Sequence, residues 1–265
     1  MDHTYWRKQT SSSPLFPDIE WSKPEQKSRA GKLGIIGGNK LGFVSVAESY
    51  SVALNTGVGA VRVLLPDVLR KTIPPAITDT IFSATNPSGS LAKGASTDMQ
   101  VLGHWADAVL MIGDAGRNSE TAILYEDFLR DYTGPLILTR DAVDLIKNSS
   151  SAIVERPNTL LVVSFAQLQK LFQSVYYPKM LAFSMQLTGL VEAVHKFTIT
   201  YPVAIMVLHK EYLVVAHNGE VTTTEWENPM AIWRGQVATT AAAYWLWNQS
   251  KPLEAATASL VLSSP

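Results

Sequence analysis

From Lys32 onward, short apolar runs alternate with longer stretches in which apolar positions return every three or four residues. The runs at 33–38, 80–84, 108–112, 136–138, 160–164 and 203–208 have strand length and are apolar on both faces, and 56–66 reads as a glycine turn leading into a further strand. Between them, 43–55, 119–130, 140–147 and 166–174 carry helical spacing, with Val44, Ala47, Ser51 and Leu54 on one predicted face of the first helix. Strands buried on both sides and separated by helices imply a mostly parallel sheet covered by two helical layers, a three-layer α/β/α fold. The longest helical stripe, Met180, Phe183, Leu187, Leu190, Val191 and Val194, predicts a helix over 179–196. A strand pair is expected across 203–224, with His217, Asn218 and Gly219 at its turn, and a last alanine-rich helix over 235–247. Residues 1–30 mix serines and prolines with Trp6, Phe16 and Trp21 and have no period, so they predict an extended arm outside the sheet. Residues 31–265 form the domain.

Composition narrows the partners. With 22 basic and 23 acidic side chains the chain has a formal charge of -1, so it lacks the basic surface that nucleic acid or an anionic membrane would need. Only 17% of residues are charged against 46% hydrophobic, which suits a compact domain with some surface covered in a homo-oligomer. Zero cysteines exclude disulfides, thiolate nucleophiles and cysteine-ligated zinc. Histidines 3, 104, 195, 209 and 217 show no metal-ligand spacing, so no metal is expected. The first residues lack the apolar core of a secretion signal, and no run approaches the roughly 18 to 20 apolar residues of a membrane helix. The expectation is a cytoplasmic protein.

Several segments carry a resemblance. GKLGIIGGNKLGFVSVAESYSVALNTGVGAVRVLLP (31–66) places a glycine turn after the first strand and an Ala-x-x-x-Gly-x-Gly-like turn before the second. Asn86-Pro87, DAVLMIGDAGRNSET (107–121), GPLILTRDAV (134–143) and GQVATTAAAYWLWNQSKPLEAA (235–256) follow in order. Together they resemble the ATP/ADP-dependent NAD(P)H-hydrate dehydratases, a branch of the ribokinase-like superfamily. The resemblance implies a ribokinase-like fold and a cleft lined by Gly38, Asn39, Gly113, Asp114, Asp141, Arg234, Gly235 and Gln236. It also implies ATP or ADP and NAD(P)H hydrate as the ligands of an active relative, which phosphorylates the hydrate hydroxyl before phosphate leaves.

The departures concern the chemistry. A carboxylate must accept the hydroxyl proton, and Gln236 stands where the family has aspartate; an amide cannot act as a base near neutral pH. The Thr/Gly run that precedes it in the family is replaced by the shorter NPMAIWRGQ (228–236), of which Gly235 alone survives. Ser164-Phe165-Ala166-Gln167 replaces His-Pro-Gly-Glu, and His209-Lys210 replaces Lys-Gly. Asp114 falls where proline is expected, and it would repel phosphate unless paired with Arg117 or a metal. The glycines are required by the turns themselves, Asn39 reads equally as a turn or a cleft residue, and Asp141 reads as a helix cap or a ligand contact. The reading is a catalytically inactive dehydratase-like protein acting through binding or assembly. The alternatives are an active dehydratase or small-molecule kinase with a base drawn from Asp114, Asp141 or Glu227, or a cleft rebuilt around Trp233 for another small ligand.

Overall fold

The structure, a computed structural model, describes residues 4–262. Its strands are β1 (Trp6–Gln9), β2 (Lys32–Gly37), β3 (Ala60–Pro66), β4 (Thr80–Ser83), β5 (Ala108–Gly113), β6 (Leu136–Thr139), β7 (Thr159–Ser164), β8 (Ala204–His209), β9 (Tyr212–His217) and β10 (Glu220–Glu225). They form one ten-stranded sheet in the order β1-β10-β9-β8-β7-β6-β5-β2-β3-β4. From β4 across to β8 every neighbouring pair is parallel, and only β8-β9 and β9-β10 are antiparallel.

Helices fill both faces, as strands apolar on both sides require. One face holds α1 (Val44–Thr56), α8 (Pro229–Trp233), α9 (Gln236–Trp247) and α10 (Pro252–Ala258) over a core that includes Ile35, Leu110, Met206 and Trp245. The other holds α2 (Ser96–Trp105), α3 (Ser119–Asp131), α4 (Asp141–Leu145), α5 (Ser150–Glu155), α6 (Phe165–Ser174) and α7 (Leu187–Thr200) over Ile36, Met111, Leu161 and Val207. Consecutive strand residues therefore serve opposite cores, which is the period of two that a pleated strand imposes. Among the described residues no helix is long and apolar enough to cross a membrane.

Four expectations are corrected. The arm is not outside the sheet: Trp6–Gln9 pairs in parallel with β10 and forms its edge strand. Gln9 is buried and donates to Thr224 Oγ1 at 3.1 Å and to the Thr257 carbonyl at 2.8 Å. Those partners lie more than two hundred residues away in sequence, so no local pattern could announce them.

The long helix starts at Leu187 rather than residue 179, and Met180 and Phe183 are exposed. Gln169 Nε2 holds the Leu181 carbonyl at 2.8 Å and His209 Nε2 meets the Met185 carbonyl at 3.0 Å, so side chains satisfy acceptors that a helix would have used. The strand pair is a three-stranded meander, with left-handed Lys210 at its first turn and left-handed Asn218 and Gly219 at its second. Finally, α1 buries Ser45, Val46, Ser49, Tyr50 and Ala53, not the predicted face, and Val44 and Ser51 are exposed. It packs against the alanine-rich α9, where small side chains permit close approach and outweigh raw hydrophobicity.

Candidate functional site

The chain leaves β2 toward β3 and β4, returns across the sheet to β5, and then continues the other way through β6, β7 and β8. The loops after β2 and β5 consequently depart to opposite faces: α1 follows one and α3 the other. Such a switch point opens a crevice beyond the carboxyl ends of the strands, where parallel α/β sheets bind their ligands. The turn 38–43, the loop 114–118, residues 140–141 and the α8–α9 junction all end there.

Most of the glycines are explained by backbone needs. Gly38 has φ +78, and its amide donates to the Gly113 carbonyl at 2.9 Å, tying the two loops at the floor of the crevice. Gly113 has φ +99, and a side chain there would collide with the Asp141 carboxylate. Asn39 closes its own turn: its amide reaches the Gly42 carbonyl at 2.9 Å and its Oδ1 accepts from the Leu41 amide at 2.6 Å.

The charged residues form a strap across the crevice. Asp114, left-handed at φ 52, turns its carboxylate onto the start of α1, where Oδ2 accepts from the Ser45 amide at 3.0 Å and from the Ser45 hydroxyl. Its other oxygen accepts from Arg140 Nη2 at 2.6 Å. Arg140 also donates through Nη1 to the Trp233 carbonyl at the end of α8. One guanidinium thus spans from the β5–α3 loop to the turn before α9. The sequence pointed to Arg117 as the partner of Asp114; that residue is exposed, and the pairing falls to Arg140 because β6 is the strand beside β5.

Asp141 is not a helix cap. Its Oδ2 accepts the Ala115 and Gly116 amides at 3.0 and 3.2 Å, bracing the glycine loop from below. Burial, and then the neighbouring Asp114, raise its proton affinity above that of an ordinary aspartate. Asp141 therefore stabilises the fold most when protonated, and that contribution falls as the pH rises from its unfolded value through the raised folded one. Asp141→Asn, which has no proton to lose, should gain in stability relative to the wild type as pH rises over that interval. Urea denaturation of both proteins on either side of it measures the difference, and a difference that shrinks or stays constant with pH contradicts the assignment.

At the far wall, α9 begins after Gly235, which is buried in a left-handed conformation at φ 85 with no side-chain cap. Gln236 is its first residue and is half-buried. The preceding segment is not a loop: Pro229–Trp233 is a helical turn in which the Asn228 side chain caps the Ala231 amide at 3.3 Å. Arg234 is half-exposed, and its Nη1 lies 3.4 Å from Glu48 Oε1 of α1. Trp233 is 54% exposed at the rim.

The other altered positions are structural here. Ser164 and Gln167 form a reciprocal capping box at the start of α6, and Gln167 Nε2 also holds the Arg140 carbonyl at 2.8 Å. His209 is buried against Phe165. Among the described residues, no group of three or more His, Asp or Glu side chains could hold a metal. Arg140, Ser45 and Glu48 were missed in the sequence, and Gln167 was read there only as the loss of a family glutamate. Arg140 could have been suspected from its place directly after a short buried strand, between Thr139 and Asp141.

No protein-family model matches the chain, and no curated protein matches its sequence. Solved structures do. A ribokinase-like superfamily protein from Enterococcus faecalis V583 superposes with a TM-score of 0.76 at 14% identity, covering 100% of this chain and 88% of that one. A hypothetical protein from Streptococcus mutans gives 0.70 at 13% identity over 93% and 86% of the two chains. The ADP/ATP-dependent NAD(P)H-hydrate dehydratase of Bacillus subtilis, crystallised with ATP and Mg2+, gives 0.58 at 10% identity over 94% and 87%. The chain has a ribokinase-like fold.

Proposed function

We propose that this protein is a dehydratase-like member of the ribokinase-like fold whose phosphoryl-transfer site is closed, and that it works through binding or self-assembly rather than turnover. The observation that carries the reading is the Arg140 strap between Asp114 and the Trp233 carbonyl. A transferring phosphoryl group needs helix N-terminal amides and room for its oxygens. Here the start of α1 is already occupied by Asp114, and the approach to the start of α9 is crossed by Arg140. Gln236 offers no base at that terminus. Of the other carboxylates considered from sequence, Glu227 is exposed, Asp114 is committed to Ser45 and Arg140, and Asp141 to two loop amides. Self-association is supported by the connection between α6 and α7, where Tyr176, Met180 and Phe183 all face outward.

The test is nucleotide binding and hydrate repair, since the B. subtilis protein of this fold is an ADP/ATP-dependent NAD(P)H-hydrate dehydratase. Calorimetry should give no micromolar dissociation constant for ATP or ADP. Recovery of dihydronicotinamide absorbance from NADH hydrate should be absent in the wild type and in Gln236→Asp, with an active dehydratase as positive control. Phosphate positioning contributes more to such a reaction than proton transfer, so a carboxylate restored beside a closed crevice gains little. Turnover by the wild type refutes the reading; turnover by Gln236→Asp alone would leave one substitution as the whole lesion and the strap as no obstacle.

A further inference from the structure

The segment that the Arg140 strap ties down is weakly anchored. It runs from the residue after Trp226, whose amide is held by the Glu211 carbonyl at 2.8 Å, to the residue before Gly235, and within it only Ala231 and Ile232 are buried. Met230 and Trp233, which could have anchored it, face outward. Its hydrogen bonds are local: the Ala231 amide meets Asn228, the Arg234 amide the Met230 carbonyl at 2.9 Å, and the Gly235 amide the Ile232 carbonyl at 3.0 Å. A helical turn of five residues cannot sustain itself in water, so its position depends on what holds it from outside. Beyond the packing of Ala231 and Ile232, two arginines do so among the described residues. Arg140 Nη1 donates to the Trp233 carbonyl, and Arg234 meets Glu48 at 3.4 Å. Gly235, left-handed at φ 85, is a backbone joint at one end, and the exposed pair Glu227 and Asn228 is the other.

The closed position also leaves polar atoms at this seam without partners. Arg140 Nε, Glu48 Oε2 and Ser49 Oγ are buried and make no hydrogen bond among the described residues. Arg140 and Glu48 carry the two ties, and Ser49 Oγ lies 3.5 Å from where a Cβ on Gly235 would stand. Polar atoms that have lost water without gaining a partner favour any conformation in which water returns.

We propose that residues 227–234 are a gate over the start of α9, hinged at Gly235 and latched by Arg140. The inference rests on the reading that the strap closes the crevice, and adds that closure is a local equilibrium rather than a fixed block. With the latch made, one arm of the guanidinium is spent on the Trp233 carbonyl. With it released, the segment swings out and the start of α9 opens to solvent with Gln236, while Arg140 stays on Asp114 and turns a free arm to the crevice. Opening withdraws only two apolar side chains from the core, which places it among the local motions that precede unfolding of the domain.

Amide hydrogen exchange on the full chain, repeated in rising urea below the unfolding transition, tests the gate. The amides of Ala231, Arg234 and Gly235 should exchange at rates that urea does not change, whereas α9 amides from Ala241 to Tyr244 should accelerate with it. Arg140→Lys keeps a cation for Asp114 but lacks the fork that reaches both partners. It should speed the three gate amides about tenfold, still without urea dependence. Gate amides that accelerate in step with α9, or that are indifferent to Arg140→Lys, overturn the inference. If Arg140→Lys does not fold, the urea series on the wild type decides alone. Nucleotide binding and turnover are separate readouts: an active wild type refutes the closed-site reading, whereas urea-linked exchange refutes only the gate.

Discussion

Arg140→Ala should lower the stability of the fold by about 2 to 3 kcal/mol, and Arg140→Gly should cost about 1 kcal/mol less. The loss has two sources. The Asp114–Arg140 pair keeps only 18% and 27% of its side-chain exposure, and removing the guanidinium leaves the Asp114 carboxylate with Ser45 as its sole donor residue. The Trp233 carbonyl loses its donor as well. Full burial would place the cost at about 3 to 5 kcal/mol; the remaining solvent access screens the exposed charge and lowers it. The backbone supplies the second half of the prediction. Arg140 sits at φ 57 and ψ -139, a conformation that a Cβ disfavours and glycine adopts freely. Alanine keeps that strain and glycine releases it, against a smaller penalty for freeing the unfolded chain. Urea unfolding of the two variants reads both effects. If alanine is indistinguishable from wild type, the strap contributes nothing, and if glycine is the worse of the two, the backbone is not strained there. Asp114→Asn in the Arg140→Ala background should recover part of the loss, since it removes the unpaired charge.

Gly37→Ala should be at least as damaging, at roughly 3 kcal/mol. Gly37 ends β2 where its register with β5 slips after Ile36, and φ is not the constraint, because Gly37 is absent from the left-handed positions. The constraint is space. A methyl group there would overlap the Gly113 carbonyl oxygen and stand 3.0 Å from Ile112 Cγ2 and 3.1 Å from Val46 Cγ2. The carbonyl cannot retreat cheaply, because it also accepts the Gly38 amide. For a chain of this length the thermal midpoint should fall by roughly 6 to 12 °C. Gly42→Ala is the control: nothing lies within 4 Å of its added carbon, φ is not left-handed, and stability should be unchanged or slightly higher. Equal midpoints for Gly37→Ala and Gly42→Ala would show that the two loops are not packed as described.

The sequence by itself determined the layered architecture and the approximate positions of most strands. Runs such as Ala108 to Ile112 are apolar at every residue, and in a pleated strand that is possible only when both faces are covered. Glycines at the ends of β2 and β5 likewise marked the crevice, because tight departures from adjacent strands need residues without Cβ. The tertiary structure decided what depends on partners far along the chain. Trp6–Gln9 contains too few residues to declare a strand, and its identity comes from hydrogen bonds to β10. The start of α7 moved to Leu187 because Gln169 and His209 claim the carbonyls before it. The buried face of α1 follows the shape of α9 rather than its own hydrophobicity, since burial is set by what lies opposite. The partner of Asp114 was beyond reach of sequence for the same reason: strand order makes β6 the neighbour of β5, and that order puts Arg140, not Arg117, within hydrogen-bond distance.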